Sequence, residues 1–359
     1  MKILFVTAGT NKAAATRYRV MQYLPSLERS GINYKVISVT SRFLTEYMIR
    51  SPEMAVWKRL IYYTLFLIER FIRSWLIILR ASMYDRIFLQ RVTFPLGLEK
   101  ILKKLNPNII FDIDDAIYLP DVQGDDPITK LKKLIKESEV KAILRVSKCV
   151  IVENEYIKKY VSRFCPRIYK IPGPIDTDRY TAKKAYRTGD IVVGWIGSPA
   201  TTPYLHMLDD VFKQILENDS DVSIHLIGAG KYSLDGYELK KIPWSAENEI
   251  EELQKFDIGV MSMPDNKWTR GKLGCKMLQY MALGIPTIAS DTITNREMLE
   301  DGVNGFLVKT EEEWVQAIKK LIDSPSLRRD IGFRGRQTIE EKCSLDKARH
   351  LLEYIFKHL

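Results

Sequence analysis

Cysteine and histidine are scarce in this chain, four of each among 359 residues. Cys149, Cys165, Cys275 and Cys343 show no paired spacing, and the histidines do not cluster with them. That argues against a structural metal site and a disulfide framework; reduced thiols in a cytoplasmic protein are the expectation. Long apolar runs are lacking too. The stretch from Trp57 to Leu79 is apolar and aromatic, yet Lys58, Arg59, Glu69, Arg70 and Arg73 interrupt it. No run approaches the roughly 20 residues that cross a bilayer. Internal repeats and low-complexity segments are missing, and no cleavable leader is visible before Lys2 to Val6, which opens at once as a strand.

What is present is enough apolar residue, 46% of the chain, for more than one core, so two domains are expected. Charge divides them. Residues 1–180 hold 31 Lys and Arg against 18 Asp and Glu, a net of +13, while the rest carries a net of −3. A basic first half suits an anionic partner or serves solubility. Residues 57–79 add an apolar body with basic residues, the composition of a helix lying on a membrane surface or packed on its own domain. An anionic membrane surface is the expected partner, and nucleic acid is not.

The first half alternates strands and helices. Lys2 to Val6 is a continuous apolar run, as in a buried parallel strand, followed by a loop and a helix from about Arg17 to Ser30. This βαβ opening predicts a doubly wound sheet with ligands at the strand C-terminal ends. Ile109 to Ile113 reads into Asp112, Asp114 and Asp115, acids at such a strand end or in a turn. A Pro/Gly cluster at 172–174 and the polar residues 177–190 read as an interdomain linker. In the second half, Ile191 to Ile196 ends in a Gly197-Ser198-Pro199 turn, with Thr202 as the N-cap of the next helix. Trp244, after a short strand at 240–242, can pack on a base, although a tryptophan is ordinarily core.

The most informative stretch is Phe256 to Val308. An apolar strand, a loop rich in Gly, Lys and Arg, and a helix from Cys275 to Leu283 follow one another. Lys272, Leu273, Gly274, Cys275 and Lys276 crowd the helix start, where free N–H groups and two cations suit a diphosphate. Asn304-Gly305 signals a tight turn.

The run GKLGCKMLQYMALGIPTIAS followed by DGVNGFL resembles the donor-binding segment of the retaining family-4 glycosyltransferases. That resemblance implies an α/β GT-B fold, two Rossmann-like doubly wound domains facing a cleft. Residues 1–175 would be the acceptor and membrane-facing domain, 190–339 the donor domain, and a helix at about 340–359 would pack back on the first. It implies a nucleotide-sugar donor; the basic, aromatic first half suggests a lipid-linked or glycan acceptor and a place at the inner face of the membrane, and the two lysines at a helix start already supply positive charge, so no cofactor or metal is expected. Gly197, Ser198, Trp244, Lys272, Leu273, Gly274, Cys275, Lys276 and Gln279 would bind donor, and Arg17 and Arg19 acceptor. Asp114, Asp115 and Lys276 would be catalytic. Relatives carry two acids eight positions apart; here those places hold Gly271 and Gln279, and Asp265 could reach the vacant one. A fold that kept binding and lost turnover is the alternative. A nicotinamide enzyme is disfavoured, because the first βα turn, AGTNKAAATR, lacks the glycine spacing.

Overall fold

The structure is a computed structural model. It describes residues 1–11, 13–41, 43–44, 56–119, 127–183 and 185–359, with the side chains of 56–60 and 127–133 outside the description. Trp57, Lys58 and Arg59 therefore lie outside the described side chains. The chain forms two compact units, Met1–Pro174 with Asp346–Leu359, and Ile175–Leu345.

The first unit is built on a parallel sheet of β1 (Lys2–Thr7), β2 (Asn33–Ser38), β3 (Arg86–Gln90), β4 (Ile109–Ile113), β5 (Cys149–Val152) and β6 (Ile168–Lys170). Their order is β2-β1-β3-β4-β5-β6. Strands β1, β3, β4 and β5 are apolar on both faces because helices cover both. These are α1 (Ala14–Arg19), α2 (Leu24–Arg29), α3 (Val56–Arg80), α4 (Leu98–Leu105), α5 (Pro127–Val146) and α6 (Glu155–Val161). The expected single helix at 17–30 is broken at Val20, whose φ is −134°, and α2 restarts with Pro25 in its first turn. Proline lacks the N–H that would continue the ladder.

The second unit carries β7 (Ile191–Ile196), β8 (Val222–Ile227), β9 (Lys240–Ile242), β10 (Ile258–Met261), β11 (Thr287–Ser290) and β12 (Phe306–Val308). All pair in parallel, in the order β12-β11-β10-β7-β8-β9. Its helices are α7 (Asp209–Asn218), α8 (Glu249–Gln254), α9 (Cys275–Ala282), α10 (Glu311–Asp323) and α11 (Pro325–Lys342). The chain then returns in α12 (Leu345–His358), whose Phe356 meets Phe5 and Phe88 edge-on at about 6 Å within the first unit's core.

Residues 175–189, polar enough to read as a linker, group with the second unit. Their own and their neighbours' polar side chains are spent on backbone carbonyls. Arg336 donates to the carbonyls of Tyr180 and Thr177, Lys183 to that of Phe256, and Tyr186 to that of Gly284. The turn before β12 also differs in detail. Gly302 takes the positive φ, and buried Asn304 braces the turn through Met298 and Thr338.

Candidate functional site

In the second unit, the order reverses between β7 and β10, and ligands of such sheets sit at the strand ends beside that switch. The turn after β7 and the loop between β10 and α9 meet there. Thr201 joins them. Its Oγ1 accepts from the Ser198 N–H (3.1 Å) and from Lys276 Nζ (3.3 Å). Lys276 Nζ also lies 4.0 Å above the buried Trp195 ring. Burial among these groups, reinforced by the charge of Lys272, pushes the Lys276 ammonium down to about 7. Gly197, Ser198 and Lys276 are thus brought into one place, as the sequence expects.

The start of α9 is shaped for close approach. Gly274 is its N-cap and makes no side-chain cap, and the first-turn N–H groups have no acceptor within the helix. A Cβ at Gly274 would stand 2.2 Å from Met261 Sδ, so glycine lets the loop lie against β10 with the Met261 side chain where it is. Gly228, at φ +68°, does the same for β8; a Cβ there would meet the Gly197 carbonyl oxygen at 2.5 Å. Cys275 is exposed, Leu273 is buried, and Lys272 Nζ lies 5.1 Å from the Trp268 ring. Thr202 does not cap the helix that follows. Its hydroxyl donates to the Ser198 carbonyl and accepts from the Gly230 N–H, holding the β7 and β8 turns together.

Gln279 is buried one helical step further on. Its Nε2 donates to Tyr180 Oη (3.0 Å) and to Glu249 Oε1 (2.9 Å). Tyr180 Oη donates to the same Glu249 oxygen (2.5 Å), and Trp244 Nε1 donates to Glu249 Oε2 (2.5 Å). Trp244 is not a core residue: it is 38% exposed, anchored by its N–H edge. Gly271 closes a short 3-10 turn, and Asp265 is held by Arg270 through two bonds of 2.7 and 2.9 Å. The vacant acid position is therefore not filled by an unengaged Asp265.

In the first unit the acids at the end of β4 are matched by arginines. Arg19 is 3% exposed and does not face solvent. It grips Asp112 through two bonds and donates to the Ile171 carbonyl at 2.7 Å. That geometry makes it a brace for the sheet end rather than a group turned to an acceptor. Arg17, partly buried, reaches the Asn11 carbonyl at 3.5 Å. Arg91, whose backbone has a positive φ of 57°, pairs with Asp114 and, at 2.6 Å, with Asp115. Burial alone would raise the Asp114 carboxyl, but Arg91 overrides it and holds Asp114 below the usual carboxylate range. Glu153, at the end of β5, is buried beside this cluster; burial and the Asp114 charge push its carboxyl well above the usual range.

Thr201, Tyr180, Glu249, Arg91 and Glu153 are the residues that sequence reasoning missed. Glu153, following the apolar run of β5, and Arg91, following β3, sat where a strand-end reading could have found them. The others come from turns, a helix start and the segment read as linker, with no local motif. Among the described residues, no group of three or more His, Cys, Asp or Glu could hold a metal ion.

Residues 190–324 match the family described as Glycosyl transferases group 1. EpsD of Bacillus subtilis (strain 168), provisionally named a glycosyltransferase, is 30% identical over 223 residues, 53% of this chain and 55% of that protein. The capsular polysaccharide biosynthesis glycosyltransferase CapM of Staphylococcus aureus is 24% identical over 165 residues, 43% of each chain. The chain thus spans about half the length of the curated relatives it matches. Anabaena HepE, solved in complex with UDP and glucose, superposes over 100% of both chains with a TM-score of 0.68 at 16% identity. The fold is GT-B, with two Rossmann-like units, and residues 190–324 of the second unit are similar to the glycosyl transferases group 1 family.

Proposed function

We propose that this chain is a nucleotide-sugar-dependent glycosyltransferase of the retaining, hexosyl-transferring type. It would serve cell-surface glycan synthesis with a lipid-linked or polysaccharide acceptor. The observation that carries this reading is Lys276, held by Thr201 over Trp195 beside the Gly197-Ser198 turn and the uncapped start of α9. As the sugar leaves, negative charge grows on the diphosphate. A cation and first-turn N–H groups placed there beforehand stabilise it without rearrangement. The leaving phosphate then helps take the acceptor proton, so no protein nucleophile is required. In the first unit, Asp114 and Asp115 would orient the acceptor hydroxyl, with the buried Glu153 beside them. No divalent metal is assigned, since Lys272, Lys276 and the helix start supply the positive charge.

The membrane part of the proposal rests on α3. Ile61, Leu65, Ile68, Ile72, Leu76 and Leu79 are exposed at helical spacing, one apolar stripe turned to solvent. Arg70 and Arg73 are turned to protein instead. Arg70 pairs with Glu139 and Thr93, and Arg73 with Glu69 and the Ser38 carbonyl. The apolar stripe, more than these two cations, would hold a membrane. No described helix is long and apolar enough to cross one.

A second reading, binding without turnover, is favoured by Gly271 in an acid's place and Asp265 tied to Arg270. Incubation with a panel of nucleotide sugars, with and without membrane lipid extract as acceptor, separates the two. Acceptor-dependent release of nucleoside diphosphate supports transfer. Binding with no release supports the second reading, and no binding of any donor overturns both.

A further inference from the structure

Where α3, α5 and the loop after β3 meet in the first unit, charge does not balance. Arg70 of α3 pairs with Glu139 of α5 at 2.5 Å, and the Thr93 hydroxyl donates to the same oxygen at 2.8 Å. Thr93 Oγ1 in turn accepts from Arg70 at 3.1 Å and from Lys136 Nζ at 3.2 Å. One carboxylate thus stands beside two cations, and Arg70 holds it. Among the described residues, Lys136 makes one hydrogen bond, to that hydroxyl, and no ion pair. An ammonium has three protons to donate. Burial, with Arg70 and Arg91 nearby against Glu139, pushes the Lys136 ammonium down to about 8. A desolvated cation without a counterion is costly, and an anion would relieve it.

Exposed apolar groups flank this lysine. Tyr63 and Leu67 share Arg70's side of α3, away from the outer stripe, and are 36% and 42% exposed. Leu134 and Ile135, immediately before Lys136 on α5, are exposed as well. Arg91, one of the charges acting on Lys136, also pairs with Asp114 and Asp115. The ammonium and the acid pair therefore have a neighbour in common.

Resting on the acceptor reading of the first unit, we propose that Lys136 binds the phosphate of a lipid-linked acceptor, with the apolar residues beside it meeting the first carbons of the chain. The phosphate supplies the counterion that Glu139 gives to Arg70, through charge-assisted hydrogen bonds from the remaining ammonium protons. A neutral polysaccharide gains nothing from this lysine, so the site favours the lipid-linked class of acceptor.

The test is titration calorimetry with farnesyl phosphate, farnesol and inorganic phosphate on wild type, Lys136→Gln and Lys141→Gln. Lys141 lies on the same helix, pairs with Glu137, and controls for net charge. Wild type is expected to prefer farnesyl phosphate to either fragment. Lys136→Gln should lose about tenfold or more of that affinity, and Lys141→Gln little. Lys136→Gln should unfold no lower than wild type, because it removes a desolvated charge. The wild-type pH profile reads the same lysine without a substitution. Affinity should fall severalfold from about pH 7.5 to about 9.5, as the ammonium loses its proton. Flotation with anionic liposomes should be unchanged in Lys136→Gln, since the outer stripe of α3 is intact. Lost flotation with farnesyl phosphate affinity intact would assign the lysine to bilayer phospholipid and overturn the proposal. A flat pH profile, equal losses in the two variants, or no preference for farnesyl phosphate over farnesol would overturn it too. Farnesyl phosphate bound by a protein that releases nucleotide from no donor fails the transferase reading and leaves the anion site standing.

Discussion

At the scale of single residues, the proposed donor site turns on Lys276. With its ammonium at about 7, part of the population is neutral at physiological pH. A diphosphate favours the charged form, so binding takes up a proton. Affinity for a nucleoside diphosphate is expected to be greatest near pH 7 and to fall as pH rises from 7 to 9. Calorimetry in buffers of differing ionisation enthalpy reads both the fall and the proton. Lys276→Ala should lose about 1.5–3 kcal/mol of binding and flatten that pH dependence. A folded variant of wild-type affinity would remove Lys276 from the site. In the first unit, Asp114→Asn keeps the shape but leaves the partly buried Arg91 less neutralised. A stability loss of up to about 3 kcal/mol is expected, from breaking one arm of a buried pair. Turnover per folded molecule should drop with nucleotide affinity intact. Loss of nucleotide binding in that variant would show that the acids act on the donor instead.

Among the elements, α3 departs furthest from a soluble helix. Its inward side carries Ile77 and Ile78 in the core beside Arg70, Arg73 and Ser74, each hydrogen-bonded, and a second aliphatic stripe lies outside. An exposed apolar stripe of this kind is costly in water and favourable against lipid. Paired Ile68→Glu and Ile72→Glu substitutions on the exposed face should leave the unfolding temperature within a few degrees of wild type. They should abolish flotation with anionic liposomes. Wild-type flotation should survive raised salt in larger part than a purely electrostatic attachment, because two of the segment's arginines are already paired. Absence of wild type from every lipid fraction would sink the membrane proposal.

For the molecule as a whole, the expected independence from divalent metal joins both units. Positive charge at the second unit's site comes from lysines and a helix start, and the first unit's Asp112, Asp114 and Asp115 are bound to Arg19 and Arg91. Turnover of a working donor and acceptor pair should therefore persist in chelator. Activity that vanishes in chelator and returns with magnesium or manganese would assign a metal to the reaction and reopen the role of the acids.

Much of this organisation is written locally along the chain. Runs such as Lys2 to Val6 and Ile191 to Ile196 can only be buried parallel strands, because apolar residues on both faces need helices on both sides. The cation-rich start of α9 is likewise local, since a helix terminus and its neighbouring lysines are consecutive in sequence. Side-chain pairing across long separations is not. Arg19 read as an acceptor-binding residue until the sheet brought Asp112, 93 residues away, against it. Trp244 read as core until Glu249 held its N–H edge at a surface. Gln279 read as a weakened acid until tertiary packing supplied Glu249 from another helix and Tyr180 from a segment that looked like linker. Period and composition report which face of an element is buried. Which polar group meets which depends on how loops of different strands converge at a sheet end, and that is settled only when the whole unit packs.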